Sequence, residues 1–314
     1  MTAATSPVAG KDLDIAKLAI SIAHWEDEET SRECLAHLAS AGVNEARWIL
    51  VDNGSRDGSG ERLRARYPGL VYIRNELNLG HAAAVNQGAR KARELGCEFL
   101  LLLDNDAFVS PASVRELFRV FAERNDAGIV SPRILSGRRP GKIWYDGGSV
   151  TLLGKGRHEH MWRQSDDVER TTRIVEFATA CAMMVRLEAF FAAGGFDEQL
   201  ITYADDLDFS FRVRRNGYEI VHVPAAEVTH GESRNVIAKG GKQFRDYFNM
   251  RNQLLVQWRY GNILQRVLGI PVTIMTDGIV RAVAHALRGD LARLRALALG
   301  TADFLRGKTG WGSL

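Results

Sequence analysis

The sequence predicts an α/β protein: a mostly parallel central sheet flanked by helices on both faces. Three observations carry that expectation. Strand-like and helix-like segments alternate through the first third of the chain. The strand-like segments are continuous apolar runs, as strands buried on both faces are. Each of them stops at a polar cluster. The composition permits such a fold. Apolar residues make up 46% of the 314 residues and charged residues 25%, which describes a globular chain able to bury a core. A disordered tail, a collagen and a disulfide-stapled miniprotein are excluded. One large domain or two smaller ones fit the length.

The elements follow in order. Leu18–Ala23 is a short apolar strand. Thr30–Ser40 places Cys34, Leu35 and Leu38 at helical spacing. Arg47–Val51 is a second strand, ending in the turn Asp52-Asn53-Gly54-Ser55. Gly60–Tyr67 is a helix closed by Pro68-Gly69, and Leu70–Arg74 a third strand. Asn78-Leu79-Gly80 introduces the helix Ala82–Leu95. Cys97–Leu103 is a fourth strand, apolar except for Glu98, and stops at Asp104-Asn105-Asp106. Beyond it, Ile143–Leu153 and Thr172–Phe177 read as strands. Leu187–Ala193 and Leu207–Arg215 read as helices ended by Gly194-Gly195 and Asn216-Gly217, and Ile220–Val223 as a strand.

The last quarter differs in charge. Lys239–Leu314 holds 12 Lys/Arg, 4 Asp and no Glu, a balance of +8 in a chain whose net charge is +3. It is helical and amphipathic in places. Its longest apolar stretch, Ile263–Val280, contains Gln265, Arg266, Pro271 and Asp277, which argues against an ordinary membrane span. Met1–Lys11 is small and polar and reads as a loose leader rather than a signal peptide. Cys34, Cys97 and Cys181 form no CxxC pair and give no zinc signal. These features predict a cytoplasmic protein, and the net charge is too small to imply nucleic acid.

Ligands of open α/β sheets sit beyond the carboxyl ends of the strands. The clusters His24-Trp25, Asp52-Asn53, Asn75 to Asn78 and Asp104-Asn105-Asp106 all fall there. No GxxxxGK[ST] or dinucleotide fingerprint occurs. Asp104 and Asp106 stand one residue apart at a strand end. They suit either a divalent cation with oxygen ligands or an acidic turn capping the next helix. Asp205-Asp206-Leu207-Asp208 leads a helix. Asp208 and Arg212 are spaced for a local ion pair, which leaves Asp205 and Asp206 for chemistry or for capping. His230 is a lone histidine after Val228-Thr229, more often a satisfied polar group than a ligand.

Taken as an ordered set, these residues resemble the family 2 glycosyltransferases of GT-A fold. The set is Val51 to Ser59; Arg74-Asn75, Asn78-Leu79-Gly80 and Asn86-Gln87-Gly88; Leu100 to Asp106; Gly194-Gly195-Phe196-Asp197-Glu198; and Asp205 to Asp208 with Arg212 and Gly217-Tyr218. The likeness runs from about Leu18 to about Trp258 and is greatest to the bacterial rhamnosyltransferase and galactofuranosyltransferase branch. Tyr247, Arg251 and Asn252 also resemble a stretch common in these enzymes. The chain departs from many members at Ala23-His24-Trp25 and at Tyr203-Ala204.

The resemblance implies a GT-A catalytic domain over residues 12–238. Its nucleotide-binding half is 12–106 and its acceptor-binding half 107–238, with 239–314 a basic amphipathic helical extension. It implies a nucleotide-sugar site of Ala23, His24, Trp25, Asp52, Asn78, Gly80, Asp104, Asn105 and Asp106. Asp104, Asp106 and His230 would hold Mg2+ or Mn2+, and Asp206, with Asp205 beside it, would be the catalytic base. The implied reaction is inverting transfer of a sugar, L-rhamnose from dTDP-rhamnose by best likeness, to a glycan or lipid-linked glycan of a bacterial surface polysaccharide. A UDP-hexose donor stays open. A sugar-nucleotide nucleotidyltransferase ranks lower because His24-Trp25-Glu26-Asp27 is acidic and glycine-free. A carbohydrate-binding protein has no use for the acids. The tail is either a solvated cap or a module lying on anionic lipid through Trp258, Tyr260, Ile263, Leu264, Val267, Leu268 and Ile270. On the second reading the enzyme is peripheral on the inner face of the plasma membrane.

Overall fold

The computed structural model describes residues 15–40, 44–232 and 235–314, and for 235–240 the backbone alone. The leader expected at Met1–Lys11 and the expected domain start at residue 12 lie outside the described residues. Strands β1 (Leu18–His24), β2 (Trp48–Asp52), β3 (Val71–Arg74) and β4 (Phe99–Asp104) run parallel in the spatial order β3-β2-β1-β4. Helices α1 (Glu28–Ala39), α2 (Ser59–Arg66) and α3 (His81–Glu94) connect them. Strand side chains alternate between faces, so an unbroken apolar strand must be covered twice. Leu18, Ile20, Ile22, Leu101 and Leu103 enter one apolar layer, while Ala19, Ile49, Val51, Leu100 and Leu102 enter the other.

The second half extends the sheet. After β5 (Ala107–Val109) and α4 (Pro111–Glu123) come β6 (Ala127–Ser136), β7 (Ile143–Tyr145), β8 (Gly148–Val150), β9 (Gly156–His158), β10 (Arg173–Ile174) and β11 (Ala182–Arg186). Helices α5 (Leu187–Ala192) and α6 (Asp205–Arg215) and strand β12 (Glu219–His230) complete it. The full order is β10-β12-β6-β11-β4-β1-β2-β3, with β5 on β12 and β7 on β6. Along this path only β10 and β11 run against the rest.

Three expectations change. The strand expected over Ile143–Leu153 breaks at Asp146-Gly147, because the Asp146 side chain turns inward to the buried Arg133 and His222. The strand expected over Thr172–Phe177 shrinks to Arg173–Ile174. The strand expected over Ile220–Val223 instead runs to His230. Its register with β6 slips between Val223 and Glu227, opposite Pro132. Pro132 and Pro224 have no N–H to give the ladder, and a break is the way a strand accommodates them. Past the break, Val228–His230 pairs with β5, which brings the end of β12 back beside Asp106.

The tail begins with α7 (Asn235–Tyr260), kinked at Gly241, followed by a continuous helical segment, Gln265–Leu287, and a last helix, Leu291–Leu305. Its four acids are all engaged by partners within the protein. Asp246 is fully buried against Arg281 and Arg293, Asp277 pairs with Lys155, Asp290 caps the last helix, and buried Asp303 accepts from Tyr247.

Candidate active site

Five segments distant in sequence meet at the carboxyl ends of β1 and β4. Asp104 closes β4, level with Ala23 of β1. Its backbone N–H donates to the Cys181 carbonyl at 2.9 Å. One turn later Asp106 is nearly buried, and its carbonyl accepts from the Gly231 N–H at 2.7 Å. That bond places His230 Nε2 3.3 Å from Asp106 Oδ1. Asp104, Cys181 and His230 each bring a donor atom within 4.8 Å of the others.

Asp205 and Asp206 open α6. The Ala180 N–H, one residue from Cys181, donates to Asp206 Oδ2 at 3.2 Å, and the Leu207 N–H to Asp206 Oδ1 at 2.8 Å. Asp205 is buried and holds His81 Nδ1 at 2.7 Å, while His81 Nε2 stands 3.7 Å from Asp104 Oδ1. His81 thus joins the two acid groups. Burial opposes its charge, but Asp205 and Asp104 outweigh burial and raise the imidazole to about 9. Burial, and then the neighbouring Asp205, push the Asp206 carboxyl up to about 6. Burial also raises Asp104, although His81 draws it down.

Several other expected site residues have their polar atoms engaged inside the protein. His24 is fully buried, its two ring nitrogens matched to Ser31 Oγ at 2.7 Å and Ser59 Oγ at 2.8 Å. Asp52 is fully buried as well. Its carboxylate accepts from Tyr72 Oη at 2.6 Å, Arg74 Nη1 at 3.0 Å and the Ser55 N–H at 2.9 Å. A Cβ on Gly60 would lie 2.0 Å from Asp52 Oδ2, so glycine is required there. The polar atoms of His24 and Asp52 are thus engaged inside the protein, and their place in a donor site stands as a proposal. Asn105 donates to Ser31, and Asn78 accepts from Asn53 Nδ2 at 3.0 Å. Ala23 and Trp25 are half-buried.

His81 and Cys181 were not among the expected residues. The sequence does hold a signal for His81, since it directly follows Gly80 at the start of α3. Cys181 gives none, because only the pairing of β11 with β4 brings it in. Burial raises its thiol far above the ordinary range, so it stays protonated and is a poor partner for a hard cation. Two carboxylates and an imidazole fit Mg2+ or Mn2+ better. His230 Nδ1 is buried without a hydrogen-bond partner, as befits a residue suited to a further ligand. A separate cavity of about 870 Å3 is lined by the far parts of α3 and α6, including Arg90, Arg93, Arg212 and Arg215, and by none of the residues gathered at this centre.

Comparison with known proteins agrees with the fold. The description "Glycosyl transferase family 2" matches residues 19–191. The chain is 28% identical over 217 residues to an N-acetylglucosaminyl-diphospho-decaprenol L-rhamnosyltransferase of Mycobacterium tuberculosis, covering 62% of this chain and 70% of that one. It is 25% identical over 249 residues to the low-salt glycan biosynthesis hexosyltransferase Agl10 of Haloferax volcanii, covering 76% and 74%. Among solved structures it resembles the mannosyltransferase PcManGT from Pyrobaculum calidifontis in complex with GDP-Man and Mn2+, at TM-score 0.60 and 14% identity over 96% of this chain and 90% of that one. It also resembles GalNAc-T7 with UDP, GalNAc and Mn2+, at TM-score 0.57 and 17% identity over 83% and 54%.

Proposed function

The chain belongs to glycosyl transferase family 2 and is a glycosyltransferase of GT-A fold acting in glycan synthesis; from that premise we propose that it is an inverting enzyme, dependent on a divalent cation, with Asp206 as its base. The observation that carries this reading is the convergence of Asp104, Asp106 and His230 with Asp205 and Asp206 through His81 and the Ala180-Cys181 backbone.

Asp104, Asp106 and His230 would hold Mg2+ or Mn2+, which when bound stabilises the negative charge of a leaving diphosphate. The protein's own part is the proton. Asp205 carries the counter-charge of His81 and is tied up by it. Asp206 is free to accept the proton of the acceptor hydroxyl, and its raised pKa suits a base near neutrality. Attack on the face opposite the leaving group inverts the anomeric carbon in one displacement. The donor we propose is dTDP-rhamnose, supported by the rhamnosyltransferase relative, and the acceptor a glycan or lipid-linked glycan. A UDP-hexose is the second reading, favoured by the hexosyltransferase relative. We also propose that the tail rests on an anionic membrane surface at the inner face of the plasma membrane, supported by the exposed Trp258, Ile263, Leu264, Val267 and Leu268.

The test is release of nucleoside diphosphate from a panel of donors with Mg2+ or Mn2+ and a lipid-linked acceptor. Release from dTDP-rhamnose that stops on chelation is the expected result. Full turnover in chelator overturns the cation, and turnover of UDP-hexoses alone overturns the rhamnose assignment.

A further inference from the structure

The loop that delivers Asp205 and Asp206 has an unusual backbone. Ile201, Tyr203 and Ala204 have φ of 67°, 62° and 60°, all in the left-handed region and none of them glycine. At Ile201 ψ is −61°, and the Thr202 N–H donates to the Leu200 carbonyl at 2.7 Å. This is a γ-turn of the rare, strained hand, centred on a β-branched residue. Such a conformation persists only where its surroundings over-determine it.

The determining contacts come from α3 and α7. The Ala82 N–H donates to the Ile201 carbonyl at 3.1 Å. Gly80, which the sequence suggested would leave room for a ligand, leaves room for the loop instead: a Cβ there would lie 2.7 Å from Ile201 Cγ2. The largest share is Asn252. Its Nδ2 group donates to the carbonyls of Leu200 at 2.8 Å, Thr202 at 2.7 Å and Tyr203 at 2.9 Å. Its Oδ1 accepts from Arg251 Nε at 2.9 Å, which fixes which way the amide faces. Arg251 Nη1 is tied in turn to the Gly310 carbonyl, and the Gly310 N–H donates to the Gln199 carbonyl at 2.7 Å. Asn252 and Arg251 are both fully buried.

We propose that Asn252, oriented by Arg251, is a positioning residue for sugar transfer. Its amide holds residues 200–204 in the one backbone arrangement that aims Asp206, and the Asp205–His81 pair, at the acceptor. The inference rests on the reading of Asp206 as base only for its kinetic consequence. The hold on the loop stands apart from that reading.

The experiment pairs kinetics with amide hydrogen exchange on the full chain. For Asn252→Ala, kcat is expected to fall on the order of 10²-fold, the cost of a small misplacement of reacting groups, with donor KM unchanged. Exchange at residues 200–206 should accelerate while β1 and β4 stay protected. Asn252→Asp, which sets a carboxylate against three carbonyls, should be worse than Asn252→Ala. Adding Ala204→Gly to Asn252→Ala should return part of the lost kcat, because glycine adopts a φ of 60° without steric cost. If Asn252→Ala fails to fold, Asn252→Ser keeps a hydroxyl donor and the same readings apply. Unaltered protection of 200–206 in a folded variant overturns the proposal, as does a kcat loss matched by a rise in donor KM. The exchange result needs no donor, so failure of the transfer reading and failure of this one are distinguishable.

Discussion

At the scale of single residues, two adjacent carboxylates have different neighbours, and the proposed mechanism gives them different work. Asp205 meets His81 at 2.7 Å, and the imidazole, raised to about 9, is protonated at neutral pH. Asp206 meets two backbone N–H groups, and burial with the neighbouring Asp205 raises its carboxyl to about 6. A base works only when deprotonated, so kcat should fall as pH drops through that value. A bound divalent cation would move the inflection lower. Asp206→Asn should lose roughly 10²–10⁴ in kcat, lose the acidic limb of the pH profile, and still bind the nucleotide. Retention of that limb in the variant would give it to another group. On the cation side, Mn2+ should raise the melting temperature of the wild type, since a ligand of the native state alone stabilises it. Asp104→Ala and His230→Ala should each abolish that rise. If His230→Ala merely lowers the melting temperature with and without Mn2+, His230 is a core residue.

At the scale of elements, the most demanding junction is where β7 turns into β8. Asp146 there is fully buried and accepts from Arg133 at 2.6 Å, His160 at 2.7 Å and His222 at 3.0 Å. Burial works against its charge, but the hydrogen bonds from His222, Arg133 and His160 prevail and hold the carboxyl well below the usual range. Asp146→Ala would leave buried Arg133 without its partner, at a cost of about 3–5 kcal/mol, read as a lower urea midpoint. The pH dependence has a definite sign. A depressed carboxyl contributes stability above about pH 4 that is lost as pH falls further. His222, whose pKa burial lowers, adds a loss beginning below about 6.5. Both act in acid, and Asp146→Ala should remove the lower component of the decline. This junction also marks where sequence reading runs out. Strands β1 to β4 are legible because apolar runs between helices have few other homes. Helix α4 does carry local signals, a Ser110 cap and Pro111 at its first turn. Strand β6 is hidden by Pro132, and β11 by Ala-Met-Met, residues that favour helix. The Asp104, Asp106, Asp206 and His230 positions are legible as an ordered set. Their linkage through His81, Cys181 and Asn252 is not, because it exists only once β11 and α7 have packed.

At the scale of the molecule, the tail's charge and its apolar surface are sorted to the outside. All four of its acids have partners within the protein, whereas Arg288, Arg295 and Arg306 are exposed and have no carboxylate partner among the described residues. Leu264, Leu268, Met275, Ile279, Val283 and Leu287 are each at least half exposed, and their spacing sets them along one stripe of the helical segment. By length and composition Gln265–Leu287 is able to cross a membrane, with 22% of its most apolar window buried in the protein. Its other side, however, is bound to the domain. Gln257 donates to Thr273 Oγ1 at 3.0 Å, Asp277 pairs with Lys155, and Gly269 and Gly278 lie against Leu153 and Met250. On the proposed membrane reading, a helix anchored on one side and apolar on the other would lie on lipid rather than pass through it. The chain should therefore float with vesicles containing anionic lipid and release from them as salt rises. Each basic residue near such a surface contributes about 1 kcal/mol. Replacing Arg288, Arg295 and Arg306 together by Gln should then weaken partitioning on the order of 10²-fold at low salt. Ile279→Asp with Val283→Asp should abolish it at any salt, because burial of the stripe is lost. Flotation by neither the wild type nor the Gln variant would make the tail a solvated cap, and the enzyme would have to meet its acceptor away from the bilayer.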